Sequence, residues 1–310
     1  MSQQHPLAQP HRVVALFGPT GVGKTDVAVA LARRLRAAGE RPVAVSADAL
    51  QVYAGLERLT GVASPVQLDA LEHRLISFLD VGERFSVAEY TRLAHAEIDR
   101  LLESGSRPIV VGGTGLYLRA ALTELTLRPA PPDELRARWT REIESRGAHA
   151  LHGILKTRSP ASAAAIDRND RHRIVRALEL LDLGVDPAPT GRSQLWTRDT
   201  RHPTLLVGLV LERSELYRRI DARVEQIVAE GAIEEVRRAA AAGASETARK
   251  ALGFRELLDR DIEGVKRRTR AYARRQLTWM RKLAGVRMLD IGGRPVDDVA
   301  GEIERMLSQA

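Results

Sequence analysis

Short, continuously apolar runs alternate along this chain with longer stretches of helical spacing. Val13-Val14-Ala15-Leu16-Phe17, Pro42-Val43-Ala44-Val45 and Pro108-Ile109-Val110-Val111 predict strands, and residues 74–79 are a further strand candidate. Helical patterns occupy 26–38 and 86–104. Thr204-Leu205-Leu206-Val207-Gly208-Leu209-Val210-Leu211 is apolar almost throughout, as expected of a strand covered on both faces. A long helix follows with Leu216, Ile220, Val224, Ile227 and Val228 on one face. Helices at about 246–259 and 261–284, a strand at 286–291 and a last helix at 296–308 complete the pattern. Strands alternating with helices imply an α/β fold with a parallel sheet and right-handed crossovers. Parallel strands present their carboxyl ends along one edge, where ligands bind in open α/β sheets. Asp48, Gln51 and Thr114, each just beyond a strand, are therefore expected to gather near the loop that follows the first strand.

The pattern breaks at Leu127-Arg128-Pro129-Ala130-Pro131-Pro132, a proline-rich hinge. From Asp133 to about Gly184 the chain is helical in pattern and rich in arginine and histidine. A loose stretch, Asp186-Pro187-Ala188-Pro189-Thr190-Gly191, closes the segment. These shifts predict a core built from 12–120 and 201–310, with a helical insertion at 121–200. Residues 1–11 are polar, carry no apolar signal core and are expected to be flexible. No internal repeat is apparent, and no 18-residue apolar stretch predicts a membrane span.

The loop after the first strand changes the picture most. Gly18-Pro19-Thr20-Gly21-Val22-Gly23-Lys24-Thr25 is G-x-x-x-x-G-K-T between a strand and a helix, the setting of a phosphate cradle. Its glycines let backbone N–H groups face an anion, and the helix N-terminus adds partial positive charge. Gly18, Thr20, Gly21, Gly23, Lys24 and Thr25 are thus candidate diphosphate ligands, with the Thr25 hydroxyl available to Mg²⁺. The fold class expected is a P-loop NTPase-like parallel sheet flanked by helices, with the helical insertion. The run Val110-Val111-Gly112-Gly113 ends without the aspartate that a motor ATPase would place there.

Asp48 could accept a proton or hold Mg²⁺ through water, or it could cap a helix with Gln51 as its capping-box partner. Gly112-Gly113-Thr114-Gly115-Leu116-Tyr117 fits either a second anion-lined turn or a plain one. Arg219 and Arg223 lie four apart beside the apolar face of their helix. There they are either solvated or able to swing over phosphates. Lysine and arginine total 48 against 40 acidic residues, a net charge of +8, and the pI is near 10.2. Such an excess points to a polyanionic partner, nucleic acid above all. Aromatic residues make up only 4%, so stacking on many rings is not the expected mode of recognition. Without cysteine the chain has no disulfide, thiolate chemistry or cysteine-held metal, in keeping with a reducing cytoplasm. Lys266, Arg270 and Arg274 recur every four residues in the densest basic run, and the mutual repulsion of such a stripe suggests an anion opposite it. Arg171, His172, Arg173 and Arg176 form a smaller basic patch in the insertion.

Taken together, these segments resemble the tRNA dimethylallyltransferases (tRNA isopentenyltransferases) over about 12–290. The resemblance is carried by the phosphate loop, Asp48-x-x-Gln51-Val52-Tyr53, the 112–117 segment, and Asn169-Asp170 through Arg176-Ala177-Leu178-Glu179. It continues through Ala251-Leu252-Gly253-Phe254-Arg255 and Thr269-Arg270-x-Tyr272-Ala273-Arg274-Arg275-Gln276-x-Thr278-Trp279. It implies transfer of a dimethylallyl group from its diphosphate to N6 of the adenosine 3′ of a tRNA anticodon. Asp48, Thr114 and Arg223 would be catalytic: Asp48 removing the proton, Thr114 placing the reacting groups, and Arg223 steadying the departing diphosphate beside Mg²⁺. Asp48, Ala49, Leu50 and Gln51 would meet the target base. Arg136, His172, Arg173, Arg176, Lys250, Gly253, Arg255, Arg270 and Arg274 would hold the anticodon stem-loop. One departure is Leu59-Thr60-Gly61-Val62-Ala63-Ser64, where the family usually reads Gly-Thr-Ala-Lys and the lysine is missing. The alternatives are a nucleoside or small-molecule kinase and a GTP-dependent RNA-binding switch, though the latter's Asn-Lys-x-Asp motif is absent. No dimer seam is evident, so a monomer is expected.

Overall fold

The computed structural model describes residues 12–188 and 194–309. The segment expected to be flexible, 1–11, lies outside the described residues, as do Pro189, Thr190 and Gly191 of the loose stretch. The described chain forms two compact units: residues up to Leu125 with those from Leu195 onward, and Thr126–Gln194.

A six-stranded, wholly parallel sheet forms the first unit, in the order β3-β2-β4-β1-β5-β6. Its strands are β1 (Val13–Phe17), β2 (Pro42–Ser46), β3 (His73–Arg74), β4 (Arg107–Gly112), β5 (Thr204–Val210) and β6 (Arg287–Asp290). Strand β1 shows why the apolar runs are continuous. Val13, Ala15 and Phe17 enter one apolar layer, Val14 and Leu16 the other, and both layers are closed by helices. One layer is covered by α1 (Lys24–Ala37) through Val27, Ala28 and Leu31. The short helices α2 (Glu57–Thr60) and α3 (Pro65–Ala70) follow β2. The opposite layer receives α4 (Val87–Glu103) and α5 (Gly115–Leu122) through Tyr90, Ile98 and Leu118. Helix α4 starts at a complete capping box, Ser86 with Glu89.

The second unit holds α6 (Asp133–Arg158), bent at Gly147 (φ 80°), α7 (Pro160–Ala165) and α8 (Arg171–Asp182). They close around Trp139, Ile143, Leu151, Leu155 and Ile174. This unit is shorter than the 121–200 expected. Ala121 and Leu122 finish α5 in the sheet's core, and the Trp196 ring packs on Trp279 at 4.6 Å, so both ends of the predicted segment belong to the first unit.

After β5 come α9 (Arg213–Ala229), α10 (Ala232–Ala241), α11 (Phe254–Leu258), α12 (Ile262–Met280) and α13 (Val296–Ser308). Two expectations are corrected here. Residues 74–79 are not a strand: only His73 and Arg74 pair with β2, because Leu75 (φ 60°) and Ser77 (φ 46°) turn the backbone out of the ladder. Nor is 246–259 one helix. A 3₁₀ turn at Ala248–Lys250 ends at Ala251 (φ −53°, ψ 132°), and α11 begins afresh after Gly253 (φ 94°), whose left-handed conformation belongs to neither helix. Among the described residues, no helix is long and apolar enough to cross a membrane.

Candidate active site

The cleft forms where three strands end side by side. Strand β4 lies between β1 and β2, so the loops after them, beginning at Gly18, Gly113 and Ala47, meet. Close approach is enforced by glycine. A Cβ at Gly112 would sit 2.3 Å from the Ala47 carbonyl oxygen, and one at Gly18 would sit 3.0 Å from that of Leu209. Gly21 (φ 81°) and Gly23 (φ 98°) take the left-handed turns that wrap the phosphate loop around the head of α1. Lys24 folds back over this loop, donating to the carbonyls of Gly18 (3.0 Å) and Pro19 (3.1 Å).

Asp48 faces Lys24 and Arg223 across a cleft of about 1390 Å³, which Thr25 and Thr114 also line. Burial raises the Asp48 carboxyl above its usual range, against the backbone N–H of Leu50 (3.0 Å) and the charges of Lys24 and Arg223. Burial also lowers Lys24 to about 8; Asp48 opposes that shift and Arg223 adds to it. Arg223 is itself lowered by burial, with Asp48 holding it up. Two cations and one half-buried carboxylate thus meet in the cleft, an arrangement that favours a polyanionic ligand.

Gln51 is not a capping-box partner. Its amide oxygen accepts from Ser46 Oγ (2.9 Å), and its nitrogen donates to the Gly61 carbonyl (2.8 Å). Thr114 stands at the N-cap position of α5 and shares a hydrogen bond with the Tyr272 hydroxyl (3.3 Å), whose pKa burial raises to about 12. Arg223 points to the phosphate loop, its Nη1 3.5 Å from Thr20 Oγ1, while Arg219 is held by Glu215 at 2.7 Å. In the departing segment, Ser64 caps α3 in a capping box with Gln67, and Gln67 Nε2 donates to Asp26 (2.7 Å).

The other candidates divide. Ala49, Leu50 and Lys250 line the cleft. Lys250 is exposed and pairs with Glu246 at 2.9 Å. Gly253 is buried at the turn into α11, and Arg255, two residues on, is exposed. The basic stripe already faces partners inside the chain, contrary to expectation. Lys266 pairs with Glu225 (2.7 Å), Arg270 with Asp221 (2.8 Å), and Arg274 donates to the Tyr217 hydroxyl (3.0 Å). The anions facing that stripe are therefore carboxylates of α9, and its repulsion is relieved inside the chain. Arg268 and Arg275, off the stripe, are the α12 arginines that line the cleft. In the insertion, His172 and Arg173 are exposed, whereas Arg136 (3.5 Å) and Arg176 (3.2 Å) both reach Glu179, which is only 2% exposed.

Sequence reasoning passed over three contributors. Gln276 bridges Thr20 and Gly113; it stood in view in the α12 motif without an assigned task. Gly61 (φ 67°) makes room for Arg223. Glu235 of α10, 2% exposed, accepts the N–H groups of Arg58 (3.1 Å) and Leu59 (2.9 Å) and so holds α2 in place. Neither of the last two carries a local signal, because each matters only through a distant partner.

A glycine loop at the head of a helix, on a wholly parallel sheet with its ligand cleft at the carboxyl edge, defines a P-loop α/β protein. The IPP transferase family model matches residues 51–283. A tRNA dimethylallyltransferase of Geobacillus thermodenitrificans is 40% identical over 292 residues, covering 90% of each chain. One of Kineococcus radiotolerans is 40% identical over 300 residues, covering 92% of this chain and 93% of that one. The crystal structure of a tRNA isopentenylpyrophosphate transferase from Bacillus halodurans superposes with a TM-score of 0.69 at 34% identity, covering 96% of both chains. The chain belongs to the IPP transferase family.

Proposed function

We propose that this chain transfers a dimethylallyl group from dimethylallyl diphosphate to N6 of the adenosine next to the anticodon of tRNA, releasing diphosphate. The observation that carries the reading is the meeting of Lys24, Arg223, Asp48 and Thr114 in one cleft beside the phosphate loop. Family membership supports it independently.

The phosphate loop holds the leaving diphosphate through Gly18, Thr20, Gly21, Gly23, Lys24 and Thr25. Lys24 and Arg223 disperse the charge that grows on the oxygen departing from the allylic carbon. Adenine N6 is a weak nucleophile because its lone pair is delocalised into the ring. Asp48 accepts its proton as the carbon–nitrogen bond forms, and the burial that raises this carboxyl makes it a stronger base. Thr114 orients the reacting groups, and Gln51 meets the base. The adenine leaves the stack of the anticodon loop to enter the cleft. Among the described residues no cluster of three or more His, Asp or Glu side chains forms a metal cage. The Thr25 hydroxyl, which lines the cleft beside the phosphate loop, would hold a Mg²⁺ ion, and that ion would supply charge neutralisation on the diphosphate.

Exposed His172 and Arg173 of the insertion, with Arg136, Arg176, Lys250, Gly253 and Arg255, grip the anticodon stem-loop; Arg270 and Arg274 serve it after yielding their internal partners. A monomeric, cytoplasmic enzyme completes the proposal. The test is incubation with labelled dimethylallyl diphosphate and bulk tRNA, followed by nucleoside analysis. Label in N6-dimethylallyladenosine without added ATP is the expected result. Labelling that demands ATP, or phosphate transfer to a nucleoside, refutes the reading in favour of a kinase.

A further inference from the structure

Gln276 is 5% exposed near the C-terminal end of α12, a helix otherwise crowded with arginine. Its side-chain oxygen accepts the backbone N–H of Thr20 at 2.8 Å, and its nitrogen donates to the carbonyl of Gly113 at 2.9 Å. The amide orientation is fixed by these partners, because the reverse would set donor against donor and oxygen against oxygen. One side chain thus joins the phosphate loop to the turn that carries Thr114. Its neighbours on the same helical face extend the contact. Tyr272, four residues earlier, reaches the Thr114 hydroxyl at 3.3 Å, and Trp279, three residues later, lies where a Cβ on Gly115 would come within 2.2 Å. A Cβ on Gly113 would fall 2.3 Å from Gln276 Nε2, so this turn has no slack against the helix. Three successive residues of the turn, Gly113 to Gly115, are each set by one residue of α12 at helical spacing.

We infer that Gln276 is a positioning residue, fixing the separation between the diphosphate cradle and Thr114 so that leaving group and acceptor are held in register. The inference rests on the transferase reading. Gln276 lines the cleft, but its amide is engaged by Thr20 and Gly113, so it acts through the phosphate loop and the turn that carries Thr114. The proximity contribution it protects is steep, since a misplacement of about 1 Å costs on the order of a hundredfold in rate.

The test is a kinetic double-mutant cycle in the full-length protein, pairing Gln276→Met with Thr114→Val and measuring dimethylallyl transfer to tRNA. Gln276→Met keeps the volume and removes both hydrogen bonds. The expected result is a fall in kcat of about tenfold to a hundredfold with KM for tRNA unchanged. The double variant should be little slower than Thr114→Val alone, since both changes disable the same element. Losses that multiply, or a Gln276→Met enzyme within about twofold of wild type, overturn the inference. If Gln276→Met does not fold, as judged by circular dichroism, Gln276→Glu takes its place in the same cycle and is judged by the same outcomes. It retains the acceptor for Thr20 and sets a carboxylate oxygen against the Gly113 carbonyl in place of the donor. Wild-type protein with no transfer at all refutes the transferase reading instead, so the two failures are distinguishable.

Discussion

Gly61 offers the sharpest test of how Arg223 is held over the phosphate loop. A methyl group at this position would lie 1.5 Å from Arg223 Nη2 and 2.6 Å from its Cζ. Ordinary contact begins near 3.4 Å, so the guanidinium must retreat by about 1.9 Å. Because the obstacle is the end of a flexible side chain, the clash itself costs little stability. The backbone (φ 67°) costs more: a non-glycine residue in this left-handed conformation is worth about 1–3 kcal/mol. Functionally the retreat removes a cation from where negative charge grows, and a displacement of this size costs on the order of a hundredfold in kcat. Gly61→Ala is therefore expected to lower kcat about a hundredfold, with KM for tRNA little changed. Gly55→Ala supplies the control, because Gly55 (φ 83°) carries the same backbone strain with nothing within 4 Å of its Cβ direction. It should lose similar stability in urea titration and no turnover. The reasoning is refuted if Gly61→Ala turns over like wild type, or if Gly55→Ala loses as much kcat.

Asp48→Asn should lower turnover by about 10²–10⁴-fold while tRNA binding, followed by filter retention, holds; unchanged turnover removes Asp48 from the proton transfer. Lys24 supplies a pH dependence whose sign follows from its lowered pKa of about 8. Below that pH the ammonium is present to meet the substrate, and above it binding must take up a proton. A diphosphate ester has already lost its last proton, as phosphate esters do near pH 6. Affinity for dimethylallyl diphosphate, read by calorimetry, should thus weaken by up to about tenfold per pH unit above 8, and Lys24→Arg should flatten the slope. Affinity for the anticodon stem-loop should fall steeply as salt rises, and His172→Ala with Arg173→Ala should make that fall shallower.

The phosphate loop was legible because everything it needs is local. A strand, two glycines able to turn left-handed, a lysine and a threonine at a helix start fall within thirteen consecutive residues. The parallel sheet was equally legible from continuous apolar runs, since burial on both faces leaves no polar alternation. Segments whose conformation answers to distant contacts were not. Residues 74–79 have strand-like composition, yet two positive φ values end the strand after His73 and Arg74. Lys266, Arg270 and Arg274 form the predicted stripe, but only packing against α9 shows that carboxylates and a tyrosine hydroxyl already face it.

By itself, then, the sequence determined a phosphate-binding α/β core, a basic helical insertion and the residue types able to catalyse a transfer. The tertiary structure decided that β4 enters between β1 and β2, and that order brings Thr114 and Asp48 to Lys24. It also decided which arginine reaches the phosphate loop and which are spent on internal ion pairs, and it made Gln276 and Gly61 part of the site. The physical reason is range: turns, caps and strand burial are set by neighbours a few residues apart, whereas strand order, ion-pair choice and steric room depend on groups that folding alone brings together.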